Sequence, residues 1–209
     1  MSVLIKRRIE EEVQWRTQEI ALIKKSALRK DQTAITKVVQ RRYAVPSLYA
    51  VWEGFVVTVF SAYVEELNRL SIPIAKLQRN LLAFNLFKTF SLYETPKDYH
   101  KRVCLAEEIR GHMSKYCRYS IPIETNANVD YNELIFLLRR FALSVVGLET
   151  YKSPLMKMIN LRNRIAHGQR DVNITEKHIN EFSWLIESLM GEISIRVMEA
   201  LDGKSYLTA

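Results

Sequence analysis

Apolar residues recur at helical spacing through most of the chain. Along residues 3–30 they fall three, four or seven positions apart among many charges, which predicts an amphipathic helix with a largely solvated surface. Residues 32–45 continue the pattern as a second helix. Pro46 suits the first position of a helix, so we predict that a separate, strongly apolar helix begins there and runs to about Leu70.

Capping residues predict where the remaining helices begin and end. The predicted helices are 74–90, one opened by Thr95-Pro96 that ends near Cys117, one from Asp130 (with Glu133) to Gly147, 154–167 between Ser153 and Gly168, and a long last helix capped by Thr175. Residues 119–129 predict a loop, because a proline and the run TNAN interrupt the pattern. Since sustained alternation of apolar and polar residues is missing from the sequence, we predict an all-α fold.

The length of 209 residues suits one domain with an extension. We divide the chain into an N-terminal helical extension over 1–45 and a helical domain over 46–209. The longest apolar stretch, FVVTVFSAYV, lies between Glu53 and Glu65 and is shorter than the roughly 18 residues that indicate a transmembrane helix. The N-terminus becomes charged after the first five residues, unlike a signal peptide. We therefore expect a soluble, cytoplasmic protein that does not enter a membrane.

The charge balance favours a polyanionic partner. The chain has 31 Lys and Arg against 23 Asp and Glu, a net charge of +8, and such a surface suits nucleic acid. Many basic surfaces are simply solvated, which leaves that alternative open. The two cysteines, Cys104 and Cys117, lack the spacing of a zinc site or a disulfide framework. We expect no metal and no cofactor.

The segment RNRIAHG at 162–168 is the strongest candidate for a site. Leu155, Met158 and Ile165 define an apolar stripe at i, i+3 and i+10, and Arg162 occupies the i+7 position of that stripe. A guanidinium there is partly desolvated and needs a partner. His167 lies five residues on, about 140° around the helix, so one helix cannot easily form a compact site from both. A two-fold interface supplies both residues more easily. The alternative is a capping histidine and a solvent-reaching arginine.

A second unusual charge is Glu53, which falls in an apolar sector of the helix SLYAVWEGFVVTVFSAYVEEL. A carboxylate in such a sector needs a cation or hydrogen bonds. We therefore hypothesise that Glu53 meets Arg162, in the fold or across an interface; the alternative is that Glu53 simply reaches solvent. Gly54 beside it would allow close helix approach.

These residues carry a resemblance to a known family. RNRIAHG resembles the signature of the HEPN superfamily, and YAVWEGFVVTVFSAYVEELN resembles the first core helix of its MAE-type group. ETNANVDYNELIFLL, followed by VVGLE and RNRIAHG, matches that group's order of blocks. The resemblance covers about residues 40–200.

The resemblance implies a HEPN-like helical bundle that forms a homodimer with the 154–167 helices facing each other. It implies a metal-independent endoribonuclease of a toxin–antitoxin or antiphage-defence system, with RNA as substrate and an antitoxin or regulatory protein as a possible partner. Arg162 and His167 take the catalytic positions, and Asn163 takes the polar position beside the arginine. Some relatives have a tyrosine two residues after the histidine that a partner modifies with nucleotide; Gln169 stands there, which argues against that route of inhibition.

The residue types suit RNA cleavage. Histidine titrates near neutrality and can act as a general acid or base, while arginine stays cationic and presents a planar fork to phosphate. The neighbouring Lys157, Arg164 and Arg170 are candidate RNA contacts or a solvated basic face. The main alternative is a non-catalytic HEPN-type interaction or scaffold module, in which Arg162 and His167 only pair and pack. DNA binding is weaker, because the sequence has no helix-turn-helix signature.

Overall fold

The computed structural model describes residues 3–90, 98–125 and 128–208. Within these ranges the chain forms seven α-helices: α1 (Val3–Ala27), α2 (Ala34–Leu70), α3 (Arg79–Thr89), α4 (Tyr99–Met113), α5 (Tyr131–Arg140), α6 (Lys152–Ala166) and α7 (Glu176–Asp202). Two short 3₁₀ helices, Ile74–Lys76 and Glu149–Tyr151, precede α3 and α6. The prediction of an all-α helical bundle is confirmed.

The apolar helix α2 forms the centre of the bundle. It packs against α1, α6 and α7, and five of its six aromatic side chains are among the most deeply buried in the protein. Arg8 of α1 forms an ion pair with Glu65, while Ser26 hydrogen-bonds to Gln40, so α1 and α2 run antiparallel. The side chain of Arg16 from α1 reaches Gly54, where an added Cβ would lie 2.8 Å from its Nη2; close approach of the helices themselves at Gly54 stays a prediction.

The predicted helix boundary at Pro46 is wrong, because α2 runs through this proline without a break. An internal proline removes one helical hydrogen bond and costs about 3 kcal/mol. Burial of Ala44, Val45 and Leu48 in the core offsets that cost. Polar contacts also join this part of the helix to the rest of the chain. Arg41 pairs with Glu176, and the guanidinium of Arg42 donates to backbone carbonyls at 169 and 170. The division into an extension over 1–45 and a domain over 46–209 stays a prediction, with α1 packed against both α2 and α7.

The prediction that Gly147 closes the fifth helix is also wrong. Helix α5 ends at Arg140, and Ala142 takes the left-handed conformation, with φ of 58°. The amide of Leu143 donates to the carbonyl of Leu138 at 2.8 Å, which closes a Schellman motif. The sequence gives no glycine signal here because alanine occupies the position that glycine usually takes.

Other boundaries differ by smaller amounts. The predicted 74–90 helix is divided into the 3₁₀ helix and α3. The fourth helix ends at Met113, and its predicted opening at Thr95-Pro96 lies outside the described residues. Helix α6 begins at Lys152, slightly before the predicted Ser153-Pro154 start. The predicted N-caps of α5 and α7 are confirmed, since Asp130 and Thr175 each accept a backbone N–H three residues on.

Short backbone pairings hold the connections to the bundle. The amide of Cys117 donates to the carbonyl of Ile72 at 2.8 Å, and Ile74 donates to Lys115 at 2.9 Å. Near the C-terminus, Thr208 donates to the carbonyl of Lys76 at 3.0 Å. Both cysteines are free thiols; Cys104 is exposed and Cys117 is buried.

Helix α2 is the one helix in the described ranges that is long and apolar enough to cross a membrane. About two thirds of its most apolar window, 67%, is buried inside the protein. The core helix of a soluble protein has the same properties, and the burial of α2 is consistent with that interpretation.

The alanine at the end of α5 provides a test of this fold. Replacing Ala142 with Gly removes the strain of a left-handed non-glycine residue and should raise the free energy of unfolding by about 1 kcal/mol. Gly147, with φ of 81° and no atom within 4 Å of an added Cβ, is the matched control. Gly147→Ala should lower stability by about the same amount. Urea denaturation measures both; Ala142→Gly lowering stability would contradict the observed end of α5.

Candidate functional site

Helix α6 and the turn that ends it position the residues of RNRIAHG. Leu155, Met158 and Ile165 are buried against the bundle, as the apolar stripe predicts. His167 is the C-cap, and Gly168 follows with φ of 75°. The amides of Gly168 and Gln169 donate to carbonyls of α6 at 3.0 Å each, in the pattern of a Schellman motif. The prediction that Gly168 ends this helix is confirmed.

Arg162 lies half-buried in the apolar stripe and contacts an aromatic ring. Its guanidinium carbon lies 4.0 Å from the centroid of the Tyr49 ring. Its Nη1 donates a hydrogen bond of 2.8 Å to Oδ1 of Asn163. A cation on a partly desolvated aromatic face gains about 1–2 kcal/mol. The guanidinium is therefore anchored from below by α2 and from the side by its neighbour.

Tyr49 is the residue that sequence reasoning missed. Its hydroxyl accepts a hydrogen bond from the backbone N–H of Val129 at 2.8 Å and donates to Oε1 of Glu53 at 3.1 Å. Burial first, and the charge of Glu53 next, raise the pKa of Tyr49 to about 12. The phenol stays neutral at physiological pH. The available signal was that Tyr49 and Glu53 are four residues apart and share one helix face.

Glu53 and Arg162 do not form the predicted direct contact, and each instead contacts Tyr49. Among the ion pairs of the described chain, none within 4.0 Å joins these two residues. The Tyr49 ring carries Arg162, and its hydroxyl binds Glu53. The partner of Arg162 is therefore the ring of Tyr49 and not the predicted carboxylate of Glu53. Glu53 contacts the hydroxyl of that tyrosine.

Asn163 and His167 extend the site toward solvent. The backbone N–H of His167 donates to the carbonyl of Asn163 at 2.9 Å. The imidazole is exposed, and no side chain in the described ranges hydrogen-bonds to it. Because Oδ1 of Asn163 accepts from Arg162, its amide group remains available as a donor. One chain thus brings Arg162 and Asn163 into contact and leaves the imidazole open at the helix end.

Two of the three neighbouring cations already have partners. Lys157 lies 3.2 Å from a carboxylate oxygen of Glu181. Arg164 donates to Gln169 and Asp171 at 2.6 Å each, bracing the turn after the helix. Arg170 is exposed. Of these predicted RNA contacts, Arg170 is the most available, and the other two also have structural roles.

The solvent side of α6 presents a continuous row beside the site. Met156, Asn160, Asn163 and His167 follow the spacing i, i+4, i+7 and i+11, and Met156 is 46% exposed. An open groove of about 560 Å³ runs along this side, lined in part by Met156, Asn160 and His178. This face is available to a second protein chain.

Comparison with known proteins places the chain in a family. The model of the RiboL-PSP-HEPN family matches residues 11–199, which include all of α2 to α6 and most of α1 and α7. No curated protein and no solved structure matches the chain significantly. HEPN domains are generally associated with ribonuclease activity or other RNA-related functions, and they commonly bind RNA and dimerise. The chain belongs to the RiboL-PSP-HEPN family, which confirms its resemblance to the HEPN superfamily.

Proposed function

We propose that the protein is a metal-independent endoribonuclease that acts as a homodimer. The observation that carries this proposal is the anchoring of the Arg162 cation on Tyr49 and Asn163, on the same helix whose end exposes the His167 imidazole. A fixed phosphate-binding cation next to accessible imidazoles is what RNA cleavage without metal requires.

The chemistry uses the RNA's own nucleophile. The ribose 2′-oxygen attacks the adjacent phosphorus, its proton passes to one imidazole, and the P–O5′ bond breaks as a second imidazole protonates the leaving oxygen. The products are a 2′,3′-cyclic phosphate and a 5′-hydroxyl. Arg162 stabilises the added negative charge on the phosphoryl oxygens, and the amide group of Asn163 donates a hydrogen bond to phosphate or to His167.

The second imidazole comes from a second copy of the chain. Arg162 and His167 lie about 140° apart around α6, so one helix directs them to different sides. Two α6 helices that face each other across a two-fold axis place both histidines and both arginines around one cleft. Met156 and Asn160, the exposed residues of the row in the first part of α6, are the surface that such a dimer buries, and His167 lies at the edge of the cleft.

RNA reaches the cleft along the basic surface around the end of α6. Arg170 provides the most accessible cation, while Lys157 and Arg164 add long-range attraction from within their ion pairs. We place the protein in the cytoplasm as a toxin–antitoxin or antiphage-defence effector that an antitoxin or regulatory protein restrains. Family membership supports an RNA-related function, and the basic charge suits RNA as the partner.

One observation favours a second candidate, a non-catalytic scaffold. Arg162 is satisfied within its own chain by Tyr49 and Asn163, as a structural residue would be. The exposed imidazole of His167 favours the enzyme, because packing does not require it.

Cleavage in the absence of metal separates the two candidates. Purified protein in EDTA should cut total cellular RNA, and His167→Ala should lower the rate by about 100-fold or more, since general acid–base catalysis contributes that much. End-group analysis should find 2′,3′-cyclic phosphates. The exposed imidazole of His100 on α4, which contacts Sγ of Cys104 at 3.7 Å, provides a matched control, His100→Ala, which should cleave normally. Intact RNA with both wild type and control, under conditions where dimers form, would favour the scaffold.

Two substitutions of Tyr49 distinguish the role of its hydroxyl from the role of its ring. Tyr49→Phe keeps the ring under Arg162 but leaves the N–H of Val129 without its acceptor, so stability should fall by about 1–2 kcal/mol while kcat/KM changes little. Tyr49→Leu removes the aromatic face and should lower kcat/KM by about tenfold. Thermal unfolding and cleavage kinetics give the two readouts. Equal activity in both variants would show that Arg162 does not depend on the ring.

The exposed row on α6 tests the dimer. Asn160→Arg places a charge opposite its own symmetry copy and should convert the dimer to monomers, with loss of cleavage. Sedimentation velocity measures the mass. Glu187→Arg, a charge change on α7, serves as the control and should leave the dimer intact. A stable dimer of the Asn160→Arg protein would show that α6 does not form the interface.

A further inference from the structure

A second candidate site lies at the far end of α5 from Arg162. A cavity of about 550 Å³ opens between α3, the end of α5 and residues 119–124. Three aromatic rings line it, from Phe84, Phe87 and Tyr119, together with the charged side chains of Arg140 and Glu124. Nothing in the proposed cleavage chemistry uses these residues.

Arg140 is the most unusual group in this cavity. Its guanidinium carbon lies 3.5 Å from the centroid of the Phe84 ring, and Phe84 in turn stacks on Tyr119 with centroids 5.7 Å apart. Nε of Arg140 is buried and has no hydrogen-bond partner among the residues that the structure describes. In the described chain, no carboxylate lies within 4.0 Å of this guanidinium. Burial lowers the pKa of Arg140, yet arginine stays charged at neutral pH. The Nε–H is therefore a buried donor without an acceptor, and the same guanidinium lines the cavity, where its terminal N–H groups can donate to a ligand.

The surrounding charges decide what kind of ligand suits the cavity. Glu124 is exposed at the rim, and Glu133 is buried on α5. Both carboxylates raise the pKa of Arg140 against the larger effect of burial, so both lie close enough to act on it. A free phosphate would be repelled by these carboxylates. A neutral, planar ligand with acceptors on one edge and donors on another would satisfy the guanidinium and the rim carboxylate together.

We propose that this cavity binds a guanine base, with Arg140 and Glu124 reading its edges. Guanine O6 and N7 accept from an arginine fork, and its N1–H and exocyclic amine donate to a carboxylate. The planar ring packs against the aromatic wall, as bases do in single-stranded RNA recognition. Adenine presents an amine donor where guanine presents O6, so it cannot satisfy Arg140 in the same way.

The base can belong to a free guanosine nucleotide or to an RNA strand. Helix α5 separates the two sites, because Val129, which binds Tyr49, lies just before its start and Arg140 lies at its end. Its ten residues span about 15 Å. Binding of guanosine here does not require cleavage at His167, so the two proposals fail independently.

A titration with guanosine, followed by ¹H–¹⁵N NMR of the full chain, tests the site. Guanosine should shift signals of residues lining the cavity, while adenosine and uridine should bind about tenfold or more weakly. Arg140→Gln and Glu124→Gln should each weaken guanosine binding by about tenfold or more. Arg139→Gln makes the same charge change on the adjacent, exposed arginine and should leave binding intact. Circular dichroism checks that each variant is folded.

The source of the base is tested with His167→Ala protein, so that cleavage at the proposed site does not consume the RNA during the binding measurement. Tighter binding of UUGUU than of UUAUU, lost in a further Glu124→Gln change, would support the site and assign the base to RNA. Guanosine binding without such a preference would support a free nucleotide. The proposal is overturned if guanine is not preferred in either form, if Glu124→Gln and Arg140→Gln both bind normally, or if inorganic phosphate competes for the cavity as well as guanosine does.

Discussion

The site depends on one contact, the cation of Arg162 on the ring of Tyr49. A charge in the middle of an apolar helix face destabilises a fold unless a partner satisfies it. Here α2 supplies the aromatic face, and the Tyr49 hydroxyl joins Glu53 to the backbone of Val129. Helices α2 and α6 and the start of α5 are therefore fixed relative to one another around a single guanidinium. In the proposed reaction, the same contact orients that guanidinium toward the phosphate.

The local features of the sequence predicted much of this arrangement. Asp130, Thr175 and Gly168 marked helix ends correctly, because capping and left-handed glycines act within a few residues. The stripe on α6 also identified Arg162 as a charge in need of a partner. Pro46 was misleading because core burial of the residues on both sides of it overrides its local preference. The end of α5 was missed because Ala142 takes the left-handed position that a glycine usually marks.

The prediction of a partner for Arg162 failed for a different reason. Charge complementarity pointed to Glu53, and the structure places Tyr49 between the two. Hydrophobic periodicity assigns a tyrosine to the core without showing that its ring face carries a cation. Likewise, no motif marks the cavity around Arg140, because α3, α5 and the segment at 119–124 form it only when the chain is folded.

We propose that the two His167 side chains of a dimer act in the same cleft. The most direct test measures the activity of mixed dimers that contain one wild-type and one His167→Ala chain. His167→Ala and wild-type chains are unfolded together at fixed total concentration, refolded so that subunits mix at random, and assayed for RNA cleavage in EDTA. If both histidines are required, a 1:1 mixture retains about one quarter of the wild-type activity, since only dimers of two wild-type chains cut. Retention of about half would mean that each chain works alone and would contradict the shared site.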